Sequence, residues 1–559
     1  MEEQIVYNRD LGRSVVTETE SGIPVKVLYT PDDVRGIDYR REIGNPGDEP
    51  FVRGIYPEMY RVRRWLDAFV VCYTDPKETN EVFKRCVASG LTGLRFVTDT
   101  PSAAGLDPDH PLAKYSLGTG GVSGFSLNAY EQMFDGLPLE DVDYEGGNVS
   151  PAGCTFNYIF LVAMMEKKGL DISKLRGSVL NDPIHSFMVL GTKEFPYDLA
   201  RKVNVDIIEF SVKNTPKFHP CVPSGYDLRE AGATMIQELG FCVANAVQYC
   251  QDVINTRGIR FDDFPRQAIS TGGSMDFFEN ICKFRALRRI WARVAKEKLG
   301  ATSSRVKSCL IAMEVCASIG TAQKPVNNIV RQAFVMLSAV LGGVQSINPT
   351  GFAEYYGLPS EENRMVELDT SHIIFDEARL PLAVDPLGGS YYVEWLTAEI
   401  ERRVNELLNE IERRGGSWKA LESGWLREEL DRSAVNKEIR RNTCKDIVVG
   451  ENAYQGPDGP LSKAVIEDAF KVKPTEDRFK AIDQVKRLRA TRDANRVKAC
   501  LTELYGVAKE RKNIVRPLVE ASKAYATVGE MVGVLRLAFD YSYDPYGIME
   551  VPDFLKELA

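Results

Sequence analysis

Gln267-Ala268-Ile269-Ser270-Thr271, then a helical pattern over Phe277–Lys298, then Lys307–Met313, is the stretch on which the fold turns. Two short β-type runs flank one long amphipathic stretch, the pattern of parallel strands joined by a crossover helix. The same alternation extends outward. Further strands are predicted at Gly93–Thr98, Asn148–Pro151, Gly177–Leu180, Asp206–Val212 and Gly343–Ile347. Helices are predicted at Lys77–Ala88, Thr155–Lys168 and Ala231–Thr256. About eight such repeats suit an α/β fold, a (β/α)8 TIM barrel, better than an open doubly wound sheet. No G-x-G-x-x-G follows a strand, which argues against a dinucleotide fold, and the loop cluster Gly118-Thr119-Gly120-Gly121 is too short a signal to reverse that. Polar residues close several strands: Asp99, Asn181-Asp182, Ser270-Thr271 and Asn348. In a barrel such ends form the ligand-binding face; read locally, they are turn and cap residues.

The 559 residues divide into four zones. Residues 1–48 are polar and turn-rich, an N-terminal arm. Residues 49–400 carry the barrel, and 401–476 a helical extension and linker. Residues 477–559 are charged amphipathic helix, either a solvated face or a docking surface for another chain. Lys plus Arg total 70 and Asp plus Glu 79, a net charge of −9. That balance argues against a nucleic-acid surface while leaving room for a local basic groove. No apolar run is long enough for a membrane span, and the acidic start is unlike a signal peptide, so a cytoplasmic protein is expected. Eleven cysteines without a C-x-x-C pair and only four histidines predict reduced thiols and no metal centre.

Several strings, in order, resemble the catalytic chain of the methylmalonyl-CoA mutase family of adenosylcobalamin-dependent acyl-CoA mutases. They are Phe51-Val52-Arg53-Gly54-Ile55-Tyr56-Pro57-Glu58-Met59-Tyr60, Asn181-Asp182, Ser224-Gly225-Tyr226, Glu230-Ala231-Gly232-Ala233, Ala322-Gln323 and Asn327-Asn328. Asp385-Pro386-Leu387-Gly388-Gly389-Ser390-Tyr391-Tyr392-Val393-Glu394 follows, with Leu488-Arg489-Ala490-Thr491-Arg492-Asp493 and Ala526-Thr527-Val528-Gly529-Glu530-Met531 in the tail. The family's cobalamin module carries D-x-H-x-x-G, and none of His110, His185, His219 and His372 sits in that frame. The resemblance therefore implies a hetero-oligomer in which a small cobalamin-binding subunit, docked by the helical tail, completes the enzyme.

By resemblance, Tyr56, Met59, Arg63 and Arg266 match contacts to CoA, and Ser150 and Ser178 suit a bore lined by small polar side chains. Gly120, Val189, Glu230 and Glu377 match positions that touch adenosylcobalamin. In the acyl pocket Val70, Leu180, Leu190 and Asp227 stand where methylmalonyl-CoA mutase has a Tyr, a Gln, an Arg and a His. Without that Arg a free carboxylate on the substrate loses its partner, at a cost of several kcal/mol. The expected substrate is therefore a branched acyl-CoA such as isobutyryl-, pivalyl- or a longer alkyl-CoA, rearranged by a radical 1,2-migration. Val97 occupies the position where hydroxyacyl-CoA mutases place an Asp, so a hydroxylated acyl group is the less favoured variant. Asp227, beside Tyr226, is expected to be catalytic, either protonated and donating to the thioester oxygen or accepting from a hydroxyl or amine. The alternatives are a non-catalytic scaffold subunit, and methylmalonyl-CoA mutase with a rearranged pocket.

Overall fold

The computed structural model describes residues 17–357, 360–469 and 479–558. It is a mixed α/β molecule, mostly helical, with eight short strands: β1 Leu66–Asp67, β2 Gly93–Phe96, β3 Asp143–Gly146, β4 Gly177–Val179, β5 Phe218–His219, β6 Gln267–Gly273, β7 Cys309–Val315 and β8 Ser346–Asn348. Every strand pair is parallel. They form two four-stranded sheets, ordered β1-β8-β7-β6 and β2-β3-β4-β5. Single parallel bridges, Val70↔Arg95 and Ser224↔Ser270, link β1 to β2 and β5 to β6 just beyond the regular ladders.

A helix follows each strand: Pro76–Ala88, Leu127–Met133, Pro151–Lys167, Tyr197–Asn214, Met235–Arg257, Phe277–Leu299, Asn327–Gly342 and Glu361–His372. Local chemistry sets their ends. Asp75, Ser150, Thr234 and Asp276 cap N-termini through their side chains, and Gly258, Gly300 and Gly343 stop helices in the left-handed conformation. Pro151–Lys167 is buried along nearly its whole length, because the C-terminal helix Val515–Lys523 packs on the side turned away from the strands.

Two expected strands are corrected. Asp206–Val212 lies within the helix Tyr197–Asn214. Its β-branched residues fall at helical spacing, with Val203, Ile207 and Phe210 buried, and Asp206 is held by Arg257 and by the backbone N–H of Ile514. Asn148–Pro151 is the loop and helix start after β3, where Pro151 takes the first helical position. The strand itself, Asp143-Tyr144-Glu145-Gly146, is polar because it faces the interior cavity. β1 and β5 have two residues each, too few to show periodicity.

The described part of the arm lies along the body. Thr19 Oγ1 donates to Glu279 at 2.6 Å, Met235 N–H donates to Ser21 Oγ at 3.1 Å, and the Tyr29 ring lies 5.0 Å from Tyr392 and 4.8 Å from Trp395. Residues 1–16 of the arm, 470–476 of the linker and 477–478 of the tail lie outside the described residues.

The C-terminal tail packs against the rest of the chain. Val515, Leu518, Val519 and Ala521 are buried in the same core as Ile159 and Leu161. Arg489 pairs with Asp107 and Asp109, Arg492 with Glu530, and Lys523 with Glu166. Arg536 donates to the carbonyls of Lys193 and Glu194. Much of its apolar face and charge is thus satisfied within this chain.

Candidate active site

A cavity of about 370 Å³ opens at the N-terminal ends of the strands. Five of the residues expected to hold CoA line it: Tyr56, Met59, Arg63, Ser178 and Arg266. Tyr56 stands between two guanidiniums. Arg266 donates to its hydroxyl at 3.1 Å and Arg63 at 3.4 Å, with both charges over the ring at 5.4 and 5.9 Å from its centroid. Ser178, on β4, faces inward at the level of Glu145 and His219. Ser150 is elsewhere. It caps the helix Pro151–Lys167, where its Oγ accepts from Gly153 N–H at 3.1 Å and donates to the Ala103 carbonyl at 2.7 Å.

Sequence reading missed most of the mouth's charge. Arg64, Arg176, Lys217 and Arg305 also line it. Arg64 and Arg176 are neutralised by Asp67 and Asp143, at 2.8 and 3.7 Å. Arg63, Lys217, Arg266 and Arg305 have no carboxylate partner among the described residues. Unneutralised cations around one opening suit a phosphorylated ligand, because charge-assisted hydrogen bonds to phosphate are about twice as strong as neutral ones. The signal lay in the basic residues just before β1, β4, β5, β6 and β7. His219, on the cavity wall, has an unpartnered Nδ1, and burial drives its ring down to about 4, so it is neutral at physiological pH.

The interior is not the bore of small polar side chains expected. Arg95 from β2 reaches Glu145 of β3 at 3.4 Å and Glu314 of β7 at 2.5 Å, and Ser346 of β8 donates to Glu145 at 2.8 Å. Of this bar of charge Glu145 lines the cavity, and all three ionic side chains are largely buried. Burial pushes Glu314 up to about 7 against the pull of Arg95. The three residues come from strands far apart in sequence, which no local pattern could bring together.

Beyond the bar lie the segments that leave the C-terminal ends of the strands. Ser224-Gly225 leads into the short helix Tyr226–Glu230. Gly225 donates its N–H to the Ser270 carbonyl at 2.9 Å, and a Cβ there would stand 2.6 Å from Glu238 Oε1, so only glycine allows this approach. Asp227 Oδ2 accepts from Ser224 Oγ at 3.3 Å and lies 3.6 Å from His185 Nε2, and its side chain is 24 % exposed. Burial drives the Tyr226 hydroxyl upward, reinforced by the charges of Glu314, Glu230 and Glu354. Val70 is bridged to Arg95, Val97 packs close over Gly147, and Leu180 is buried. Leu190 instead faces solvent, 47 % exposed, at the end of the helix Pro183–Val189.

Gly120, Val189 and Glu230 share this C-terminal side. Gly120 is exposed in the left-handed conformation, with open space where a Cβ would be. Val189 is half-buried, and Glu230 accepts from Ser318 N–H at 3.1 Å. Glu377 does not join them. It follows the helix Glu361–His372, which returns to the other end of the strands, where Trp65 Nε1 donates to Ser371 at 2.9 Å and Phe375 packs on Trp65. The carboxylate that does meet Tyr226, Glu230 and Glu314 is Glu354, six residues past the end of β8.

A phosphate-seeking mouth, an interior cavity and a polar site at the strand ends are the arrangement against which the sequence relationships stand. The family model for methylmalonyl-CoA mutase matches residues 18–541. The chain belongs to the methylmalonyl-CoA mutase family. It is 34 % identical over 524 residues to the 2-hydroxyisobutanoyl-CoA mutase large subunit of Aquincola tertiaricarbonis, covering 93 % of this chain and 91 % of that one. It is 33 % identical over 546 residues to the methylmalonyl-CoA mutase of Rhizobium meliloti, covering 96 % and 74 %. The human mitochondrial methylmalonyl-CoA mutase is 33 % identical over 533 residues, covering 94 % and 69 %. These relatives are acyl-CoA mutases, hence isomerases, of a family that depends on cobalamin. No helix of the described residues is long and apolar enough to cross a membrane.

Proposed function

We propose that this chain is the large subunit of an adenosylcobalamin-dependent acyl-CoA mutase whose substrate carries no free carboxylate. The observation that carries the reading is the charge of the interior. The cation nearest the acyl end, Arg95, is already shared by Glu145 and Glu314, and Leu190, matched by sequence to the family's carboxylate-binding Arg, supplies no charge. A second carboxylate would meet Asp227, Glu314 and Glu354 with no free partner. In this reading the eight strands form a closed (β/α)8 barrel, with the single bridges Val70↔Arg95 and Ser224↔Ser270 completing the ring. CoA phosphates bind Arg63, Arg266 and their neighbours, and the pantetheine arm runs inward past Ser178 and His219.

The residues at the C-terminal face suit contact with cobalamin rather than ligation of cobalt. Glu230 and Glu354 offer acceptors for sugar hydroxyls, and Gly120 leaves backbone open to close approach. Each histidine has its own surroundings. His110 faces Asp544, His185 is buried, His219 lines the opposite cavity and His372 packs at Gly90. Cobalt ligation therefore falls to a separate small subunit, in keeping with a large-subunit relative. When bound, adenosylcobalamin supplies the radical that starts a carbon-skeleton rearrangement; this chain holds the thioester, orients its acyl group and keeps water out. Eleven free cysteines, mostly buried, accord with a cytoplasmic protein.

The test is turnover of isobutyryl-, pivalyl- and methylmalonyl-CoA by the chain reconstituted with a cobalamin-binding small subunit. Isobutyryl- or pivalyl-CoA is expected to rearrange fastest, and preferred turnover of methylmalonyl-CoA overturns the reading. One observation favours a second reading, a non-catalytic scaffold: the charged bar across the interior. A scaffold would bind no CoA thioester.

A further inference from the structure

The first described turn of the N-terminal arm is pinned by acids of the body. Thr19 Oγ1 donates to Glu279 Oε1 at 2.6 Å and the Ser21 N–H donates to the same oxygen at 3.1 Å, while the Glu20 N–H donates to Asp276 Oδ2 at 3.0 Å. Glu279 is 1 % exposed, and Thr19 is buried against it. The other oxygen, Glu279 Oε2, is buried with no hydrogen-bond partner. An ionised carboxylate is acceptor-only and calls for donors on both oxygens; this one has them on Oε1 alone.

The surrounding charges do not supply what is missing. Asp276, on the same helix, and Glu20, on the arm, both add negative charge. Arg229, from the helix Tyr226–Glu230, is taken up by Glu20 at 2.5 Å and stands 3.8 Å from Glu238. Lys283, one turn along from Glu279, pairs with Glu238 at 3.2 Å. Lys437 donates to the Arg229 carbonyl at 3.3 Å and acts on Glu20, Arg403 donates to the Gly22 carbonyl at 3.4 Å, and Tyr392 faces the acids with its hydroxyl driven upward by burial. Three carboxyl groups thus share one guanidinium. Burial, with Asp276 and Glu20, pushes Glu279 up to about 7. Burial raises Asp276 as well, whereas Arg229 holds Glu20 low against its own burial. An anion at Glu279 can regain water only if the arm lifts. We propose that Glu279 is a proton-controlled clasp: carrying a proton it holds Thr19 and Ser21 against the body, and on losing it the arm loosens.

The sign follows from linkage. A lifted arm leaves Glu279 to titrate at its ordinary 4.5, against about 7 when clasped, so each pH unit between those values favours release about tenfold and the effect levels off above them. Glu20 acts in the opposite sense, but below pH 4.5. Hydrogen exchange of the full chain over residues 17–25, corrected for the intrinsic rate at each pH, tests this. Protection is expected to fall roughly 40-fold from pH 5 to pH 7 and by less than about twofold more up to pH 8. Glu279→Gln keeps an acceptor for Thr19 and Ser21 but cannot ionise, and it should flatten the fall to within about threefold, the remainder coming from Asp276. Comparison with this variant also removes the effect of other titrating carboxyls, Glu194 among them. Thr19→Val leaves the carboxyl in place and removes the clasping hydroxyl, so protection of residues 20–23 should already be low at pH 5. Constant protection in the wild type, an unchanged fall in Glu279→Gln, or a full wild-type profile in Thr19→Val overturns the inference.

Discussion

Replacing Arg266 by Met removes one guanidinium from the cavity mouth while keeping most of the side chain's bulk. Arg266 is half-buried, donates to Tyr56 Oη at 3.1 Å and to the Arg305 carbonyl at 3.3 Å, and has no carboxylate partner. Its charge is therefore available to a phosphate, in a place where solvent screens it only partly. A charge-assisted hydrogen bond of this kind is worth about 1.5–3 kcal/mol, so Arg266→Met weakens CoA binding by about 10- to 150-fold. Arg63 is exposed, and its removal costs no more than about 1 kcal/mol, roughly fivefold. Both touch Tyr56, so the two losses are not additive. Calorimetry with CoA and with pantetheine, which has no phosphate, separates charge from packing. Pantetheine affinity should be indifferent to Arg266→Met. CoA affinity should also fall between 0.1 and 1 M salt, as the screening length shrinks from about 10 to about 3 Å. If Arg266→Met weakened pantetheine as much as CoA, or if salt left CoA binding unchanged, the assignment of this mouth to phosphate would fail.

Two further outcomes follow, one from a buried carboxyl away from the cavity and one from a glycine on its wall. Glu194 is 1 % exposed, with Oε1 unpartnered, and burial raises its carboxyl to about 7 from 4.5. Between those values the folded state keeps a proton that the unfolded chain has lost, so stability falls as pH rises, by about 3 kcal/mol at most. Glu194→Gln should match the wild type in urea unfolding at pH 4.5 and exceed it at pH 8; parallel pH profiles would refute this. Gly177 opens β4 at φ +132°, and a Cβ there would stand 1.9 Å from the Tyr144 carbonyl oxygen. Gly177→Ala should destabilise by at least about 3 kcal/mol and weaken CoA binding through Ser178; a change within 1 kcal/mol in urea unfolding would contradict the close β3–β4 approach.

The alternation of strand and helix was legible wherever a strand is long or apolar. Gln267–Gly273 and Cys309–Val315 are the clearest, because each is seven residues long, and the second is largely apolar with alternating burial. β3 hid because Asp143 and Glu145 on its cavity side are charged, and Asp206–Val212 misled because a buried helix can be as rich in branched side chains as a strand. The CoA-side residues could be named because one contiguous string, Phe51–Tyr60, carries much of that surface. Glu354, His185 and the bar of Arg95, Glu145 and Glu314 could not, because each gains meaning only from neighbours folded in from distant strands. Glu377 was misplaced for a related reason. Position along the chain does not say on which end of the strands a segment emerges, and the returning helix Glu361–His372 decides that.

The Arg95 bar makes the interior lopsided. A flexible ligand tail entering from the basic rim cannot run down the centre without parting a guanidinium from its carboxylates and stranding a bare charge away from water. On the wall formed by β4 and β5 Ser178 offers a small hydroxyl and His219 an uncharged ring. If the proposed function holds, reach past that level, more than volume, would decide which tails arrive at the C-terminal ends of the strands.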